Sequence, residues 1–290
     1  MSSPGSSTAR QDAQAQVSSA EVTRWWTTAV SDIEPGQIRL RGYPVEQLIG
    51  RASFVDTIWL MVRGELPSPA QAALLELALV AAVDHGPQAP SIAAARMAAT
   101  CGVGLNSAMA TGVNLLGDVH GGAGQQCMTL LGSLAARTDV PLERAVAELI
   151  ADFRDRGEYL PGFGHRFHPR DPRRDPLLAA VAEQVKNGDL AGQHLRTALE
   201  LERQLSQGRR PVPMNIDGAT AVIYAELGFD PELGRGLFVL SRSVGVLAHA
   251  WEETQGGRRI KGPIPPPLLP DYHGPAPRDV PPGPSGTTYP

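Results

Sequence analysis

The sequence predicts an almost wholly α-helical protein with no sheet beyond a short hairpin. Apolar residues recur at helical spacing through most of the stretch from about 22 to 261, and the periodic segments mostly close on Gly or Asn. Strict alternation is confined to one place, Ile38, Leu40 and Gly42 after the turn signal Glu34-Pro35-Gly36. No strand precedes Gly102-Val103-Gly104 and no βαβ unit surrounds it, which removes a dinucleotide-binding fold.

Each helix has its own punctuation. Val45 to Gly50 reads as a short amphipathic turn. Ser53 to Arg63 sets Phe54, Ile58, Met61 and Val62 on one face and stops at Gly64. Pro69 opens the next, halted by Gly86-Pro87; Ser91 to Thr100 and Leu105 to Leu116 follow. Further helices are predicted over 122–136, 142–156, 176–186, 191–207, 219–227 and 231–253.

Length and composition bound the function. A chain of 290 residues, 42% hydrophobic with a net charge of -4, buries a sizeable core and lacks the positive field that nucleic-acid binders need. Nucleic acid and anionic membrane surfaces are therefore not expected partners. The longest apolar run, Ala72 to Val83, is too short to span a bilayer, and residues 1–20 carry neither an apolar core nor an Arg-rich pattern. A cytoplasmic protein is expected. Cys101 and Cys127 lie in apolar surroundings and read as buried free thiols. Residues 1–20 read as a disordered arm, and 263–290, with eleven of the 26 prolines, as an extended tail.

Three polar stretches interrupt the apolar scaffold. In Gly117-Asp118-Val119-His120-Gly121-Gly122, a histidine sits between helices among glycines that admit close ligand approach. It reads either as a catalytic neutral imidazole or as a solvent-facing loop residue. The second, Leu160-Pro161-Gly162-Phe163-Gly164-His165-Arg166-Phe167-His168 with Pro169 to Asp175 behind it, offers N–H groups at Gly162 and Gly164 beside basic side chains. It suits an anion and acid–base work, or is a charged surface loop. A metal set of His165, His168 and Asp171 is disfavoured by the prolines at 169 and 172. The third, Asn215-Ile216-Asp217-Gly218, places a carboxylate before an apolar helix, where a general base and an ordinary N-cap look alike. Arg242, inside an apolar helical stretch, calls for an anionic partner, and His85 marks another helix end.

The order of these segments resembles the citrate synthase superfamily from Arg41-Gly42-Tyr43-Pro44 to Ile260. Gly64-Glu65-Leu66-Pro67, Asp84-His85, His120-Gly121-Gly122-Ala123, Pro161-Gly162-Phe163-Gly164-His165-Arg166, Asn215-Ile216-Asp217 and Ser241-Arg242-Ser243-Val244-Gly245 each look like a marker of that family. The resemblance implies an all-α homodimer whose large domain, 21–120 and 228–262, carries an inserted small domain, 121–227.

It also implies carbon–carbon bond chemistry beside a coenzyme A thioester, with acetyl-CoA, oxaloacetate and citryl-CoA as small-molecule substrates and no permanently bound cofactor or metal. Asp217 would be the base at the methyl carbon, His120 the donor to the thioester oxygen and His165 the group at the oxaloacetate carbonyl oxygen. His85, Arg173 and Arg242 would hold the dicarboxylate. Leu160, Pro161, Gly162, Phe163, Gly164 and Arg166 would receive coenzyme A. One departure stands out: where the family commonly carries Arg-Pro-Arg, this chain reads Ile260-Lys261-Gly262-Pro263, with Gly262 at the arginine position and Lys261 or Arg259 as candidate replacements. The short chain and the altered arginine look most like citryl-CoA lyases and the lyase module of ATP-citrate lyase. The alternatives are a citrate or 2-methylcitrate synthase, the latter using propionyl-CoA, and a non-catalytic coenzyme A-binding homologue.

Overall fold

The computed structural model describes residues 23–280 apart from 209, 266 and 269. The expected arm, 1–20, and the last ten residues of the expected tail lie outside these.

The chain is mostly helical, with one small sheet. Strands β1 (Ser31–Glu34) and β2 (Gln37–Leu40) form the predicted hairpin around Pro35-Gly36. A third strand, β3 (Tyr43–Pro44), pairs antiparallel with β2, so the sheet has one strand more than expected. The reason is Arg41, a non-glycine residue at φ 49, which with Gly42 at φ 88 supplies the left-handed turn that folds the chain back. Its guanidinium is clamped: Nε and Nη2 donate to Met61 O at 3.1 and 2.7 Å and Nη1 to Ala29 O at 3.2 Å.

The helices are α1 (Val45–Leu48), α2 (Phe54–Arg63), α3 (Pro69–Ala82), α4 (Pro90–Thr100), α5 (Leu105–Val113), α6 (Ala123–Ala135), α7 (Leu142–Asp155), α8 (Arg174–Asn187), α9 (Gln193–Leu205), α10 (Ile216–Glu226) and α11 (Pro231–Gln255). In α2 a capping box joins Ser53 and Asp56, and Gly64 closes the helix at φ 93, as the sequence predicts. Its buried residues are Ile58, Trp59 and Leu60, whereas Phe54 is exposed. The inward face is set by Trp59, whose ring meets Phe229 edge-on at 5.1 Å, and the cap keeps the first turn at the surface. Cys127 is buried, but Cys101 is exposed: it is the C-cap of α4, ahead of Gly102 at φ 83.

Two compact units divide the chain, each with its own core. The first joins the described part of Met1–Ala82 to Gly121–Phe238; the second joins Val83–His120 to the described part of Val239–Pro290, the boundary falling inside α11. These units share the cut between 120 and 121 with the division drawn from the sequence but place the others at 82 and 238 instead of 227, because 23–82 packs with the segment after 121.

In the first unit α10 is the central helix. Ile216 and every residue from Gly218 to Tyr224 are buried, so this helix is apolar on all sides and packs against α3, α6, α8 and α9. Burying each Val or Ile side chain there is worth about 1.5–3 kcal/mol. The second unit is small: Ile92, Ala95, Ala108, Val246 and Ala250 pack α4, α5 and α11 together. Gly112 lets α5 approach closely, since a Cβ there would lie 2.8 Å from Ser91 O. Among the described residues no helix is long and apolar enough to cross a membrane.

Replacing Ser53 by Ala removes the capping box of α2 and is expected to cost about 1 kcal/mol of stability. Urea unfolding checks it: the midpoint falls while the slope is unchanged.

Candidate active site

The helix that carries Asp217 starts two residues earlier than a cap at Asp217 would require. Asn215 is the N-cap: its Oδ1 accepts from Asp217 N at 2.9 Å and Gly218 N at 3.2 Å. Asp217 therefore lies in the first turn of α10 and does not serve as the cap. The ambiguity left by the sequence resolves toward a carboxylate with another task, at the helix end where negative charge is favoured.

The loop with His165 is pinned to that same turn. Phe163 and Met214 form an isolated antiparallel bridge, with Gly164 N donating to Pro213 O at 2.7 Å and Asn215 N to Gly162 O at 3.0 Å. Asn215 adds Nδ2 to Gly164 O at 2.7 Å. The backbones touch: a Cβ on Gly218 would overlap Gly162 O, and one on Gly162, at φ 87, would lie 2.8 Å from Cys127 Sγ and 2.9 Å from Gly218 Cα. The expectation of a free N–H at Gly164 is therefore corrected, since that group is spent on Pro213. Leu160 and Phe163 are buried core side chains, whereas Arg166 is exposed. Leu160 and Phe163, with Phe153, Tyr159, Leu205 and Val212 among others, line an open cleft of about 230 Å³.

A second brace comes from Asp171, whose carboxylate is fully buried. It accepts from Arg173 N, Nε and Nη2 and from Ile216 N, at 2.8–3.1 Å. These hydrogen bonds, the guanidinium's foremost, outweigh burial and hold its pKa down at about 2. The first unit thus pairs Arg173 with an internal carboxylate. With its acceptors engaged in this way, Asp171 does not suit the metal set weighed with His165 and His168. Beside it, the buried Arg174 binds Glu202, which also accepts from Met214 N at 2.8 Å.

His165 is oriented by its own loop. Its Nδ1 accepts from Phe167 N at 3.0 Å and His168 N at 3.1 Å, so the neutral ring carries its proton on Nε2. Cys127 reports on Asp217: burial, and then the negative charge of Asp217, push its thiol up to about 12, which makes it an inert wall beside the carboxylate.

The second unit holds His120, His85 and Arg242. Ser91, in the first turn of α4, donates its N–H to His120 Nε2 at 3.2 Å, and its hydroxyl lies 3.0 Å from the same nitrogen. Nδ1–H is then the ring's donor. The helix N-terminus that touches this imidazole is that of α4, and the positive charge of Arg242 acts with burial, the larger cause, to hold the pKa below its ordinary value. Arg242 is buried within α11, as the sequence indicates. His85 is half-buried and follows Asp84, which binds Gly86 N at 2.9 Å and His249 Nε2 at 3.3 Å. Gly262 is exposed. Lys261 is not extended: its ammonium binds the buried Glu253 at 2.8 Å beside Arg96, and its N–H binds Thr100 Oγ1 at 2.9 Å. Arg259 is exposed.

The family model for the citrate synthase C-terminal domain matches residues 20–74 and 67–263. The chain belongs to the citrate synthase family. A citrate synthase of Haloferax volcanii is 31% identical over 222 residues, 75% of this chain and 55% of that protein. An ATP-citrate synthase subunit 1 of Sordaria macrospora is 26% identical over 242 residues, 77% of this chain and 34% of that protein. The chain spans about half the length of the first curated citrate synthases it matches. Among solved structures, a citryl-CoA lyase from Hydrogenobacter thermophilus matches with TM-score 0.79 and 31% identity over 88% of this chain and 97% of that one. An ATP citrate lyase from Methanothrix soehngenii, solved with citrate and coenzyme A, shares the fold at TM-score 0.75 and 19% identity over 95% of this chain and 46% of that one.

Within this family member, sequence reasoning missed Ser91 and the cap function of Asn215, and weighed Asp171 only as a metal ligand. Ser91 carries no local signal, because its partner is 29 residues away. Asn215 was legible in principle as an Asn four residues before the apolar run that begins at Ala219.

Two outcomes follow from this geometry. His120 is expected to titrate below the ordinary histidine value of about 6.5. Replacing Arg242 by Gln removes a nearby positive charge and should move the midpoint upward without restoring it fully, since burial remains; nitrogen-15 NMR of the imidazole reads both. In Gly162→Ala the new methyl meets Cys127 and Gly218 at a left-handed backbone position, and a loss of about 1–3 kcal/mol in chemical denaturation is expected.

Proposed function

We propose that this chain is a citryl-CoA lyase that cleaves citryl-CoA to acetyl-CoA and oxaloacetate. The observation that carries this reading is the match to a citryl-CoA lyase over nearly the whole of that protein. Gly262 at the family's arginine position supports it, and Lys261, bound to Glu253, offers no replacement in this conformation.

The roles follow from acid–base chemistry. His165, with its proton on Nε2, hydrogen-bonds the C3 oxygen of the citryl group and stabilises the charge that oxygen carries as its hydroxyl proton passes to solvent water, from which Asp217 takes up a proton between turnovers. The carbon–carbon bond breaks, its electron pair passes into the acetyl fragment, and the thioester oxygen becomes an enolate oxygen that His120 Nδ1–H stabilises. Asp217 in its protonated form then returns a proton to the methylene carbon, giving the methyl group of acetyl-CoA. His85, Arg173 and Arg242 bind the carboxylates, Arg242 as a bidentate fork. The apolar cleft beside Leu160 and Phe163 suits the adenine end of coenzyme A, and Arg166 its phosphates. The thioester is substrate, and no resident cofactor or metal is part of the proposal.

A second reading, citrate or 2-methylcitrate synthase, is favoured by the curated relatives and uses the same groups in the other direction. The proposal extends to a cytoplasmic homodimer. On α11, Leu240, Val244, Leu247 and Trp251 are exposed at spacings of four, three and four residues, the seam of a helix-to-helix contact.

Supplied with citryl-CoA, the protein should release oxaloacetate, read by coupling to malate dehydrogenase. Asp217→Ala should lower that rate by about 100-fold or more. Thiol release from acetyl-CoA and oxaloacetate, with no cleavage of citryl-CoA, would decide for the synthase. Light scattering after size exclusion should give a dimer mass that drops to the monomer in Trp251→Glu.

A further inference from the structure

The geometry points to Asp171 as a positioning residue that sets Arg173 and the Asp217 turn together; the inference rests on the lyase reading above. Asp171 has no exposed side-chain surface, and a buried carboxylate is retained only where it is paired and hydrogen-bonded. Here each oxygen holds two donors. Oδ1 accepts Arg173 N at 3.0 Å and Arg173 Nε at 2.9 Å, while Oδ2 accepts Arg173 Nη2 at 2.8 Å and Ile216 N at 3.1 Å.

Both partners matter to the proposed reaction. Ile216 opens α10, and its N–H is among the four that a helix cannot satisfy internally. Asn215 serves the next two, so Asp171 and Asn215 between them hold the first three N–H groups of the turn in which Asp217 sits. On the other side, Asp171 grips the Nε and Nη2 edge of the Arg173 guanidinium. A guanidinium presents two edges, and bracing one fixes the plane of the other. That second edge includes Nη1, which reaches Ala81 O only at the long distance of 3.4 Å. The braced arginine is thereby aimed to take a substrate carboxylate with Nη1, while the same carboxylate fixes the start of the helix that bears the base. Asp171 touches no reacting atom in this scheme and acts through its two neighbours.

Asp171→Asn keeps the size and one acceptor but loses the charge and the doubled acceptance. In citryl-CoA cleavage it is expected to lower kcat by about 100-fold and to raise the KM for citryl-CoA by about tenfold, the scale of a small misplacement of reacting groups. A purely structural role would lower the melting temperature and leave the coupling with Arg173 untouched. The decisive readout is therefore a double-mutant cycle: Arg173→Lys should cost about tenfold in kcat/KM in the wild type and under about threefold in Asp171→Asn. Additive losses, or a wild-type kcat in Asp171→Asn, overturn the inference. If Asp171→Asn does not fold, Arg173→Lys alone decides. With Asp171 still holding Ile216, it should raise KM and leave kcat within about threefold, and an equal collapse of kcat refutes the split. Wild-type protein assayed alongside separates the failures: an inactive wild type sinks the lyase reading and this inference with it, whereas an active wild type with an indifferent Asp171 sinks the inference alone.

Discussion

The candidate site of the first unit depends on one backbone contact, the approach of Gly162 to Gly218. Two segments more than fifty residues apart in sequence are zipped at Phe163 and Met214, and the zipper closes only because neither glycine carries a Cβ at the point of touching. Everything chemical in that unit hangs from it. His165 follows the bridge by two residues on one side, and Asp217 follows it by three on the other, so the spacing between acid–base groups is fixed by backbone hydrogen bonds. Flexible side chains have little say in it, as precise catalysis requires. The anchor is also well founded, because α10 is buried on all sides and cannot shift without disturbing the core of its unit.

Charge is handled in the same local way. The chain places four arginines between 166 and 174, and a run of like charges would repel if left bare. Arg170 is paired with Asp175, Arg173 with Asp171 and Arg174 with Glu202, each within its own unit. Arg166, next to His165, and Arg170 are the exposed members of the set. What reads along the sequence as a charged surface loop is in the structure one exposed pair, Arg170–Asp175, and two largely buried ones, Arg173–Asp171 and Arg174–Glu202, that stiffen the descent from His165 into α8. Buried pairs of this kind are weak evidence for stability, since desolvation offsets much of the attraction, but they do fix geometry.

The helices and their stops were legible because Gly, Pro and apolar spacing act over a few residues. Gly64 ends α2 and Pro69 opens α3 as the local rules require. The order of markers likewise exposed the family. What stayed hidden was long-range. The third strand hung on a left-handed arginine at 41 that no propensity scale favours, held by the far end of α2. Phe54 faced outward because Trp59 found Phe229, 170 residues on. Whether Asp217 was the cap turned on the single residue that capped in its place, Asn215.

The two histidines show how backbone partners, local for His165 and distant for His120, bear on chemistry. Each is held with one ring nitrogen accepting backbone N–H groups, His165 by Nδ1 and His120 by Nε2, so the remaining protons sit on opposite nitrogens. A backbone donor cannot accept a proton, and it disfavours the imidazolium that a carboxylate partner would stabilise. Both rings are thereby prepared as neutral hydrogen-bond donors. Groups of that kind suit oxygens that gain charge in a reaction, a thioester becoming an enolate or a hydroxyl becoming an alkoxide, and they are poorly suited to activating a nucleophile. In the proposed reading Asp217 would supply the proton transfer at carbon, and the division of labour a carbon–carbon lyase needs would rest on which nitrogen of each ring faces the backbone.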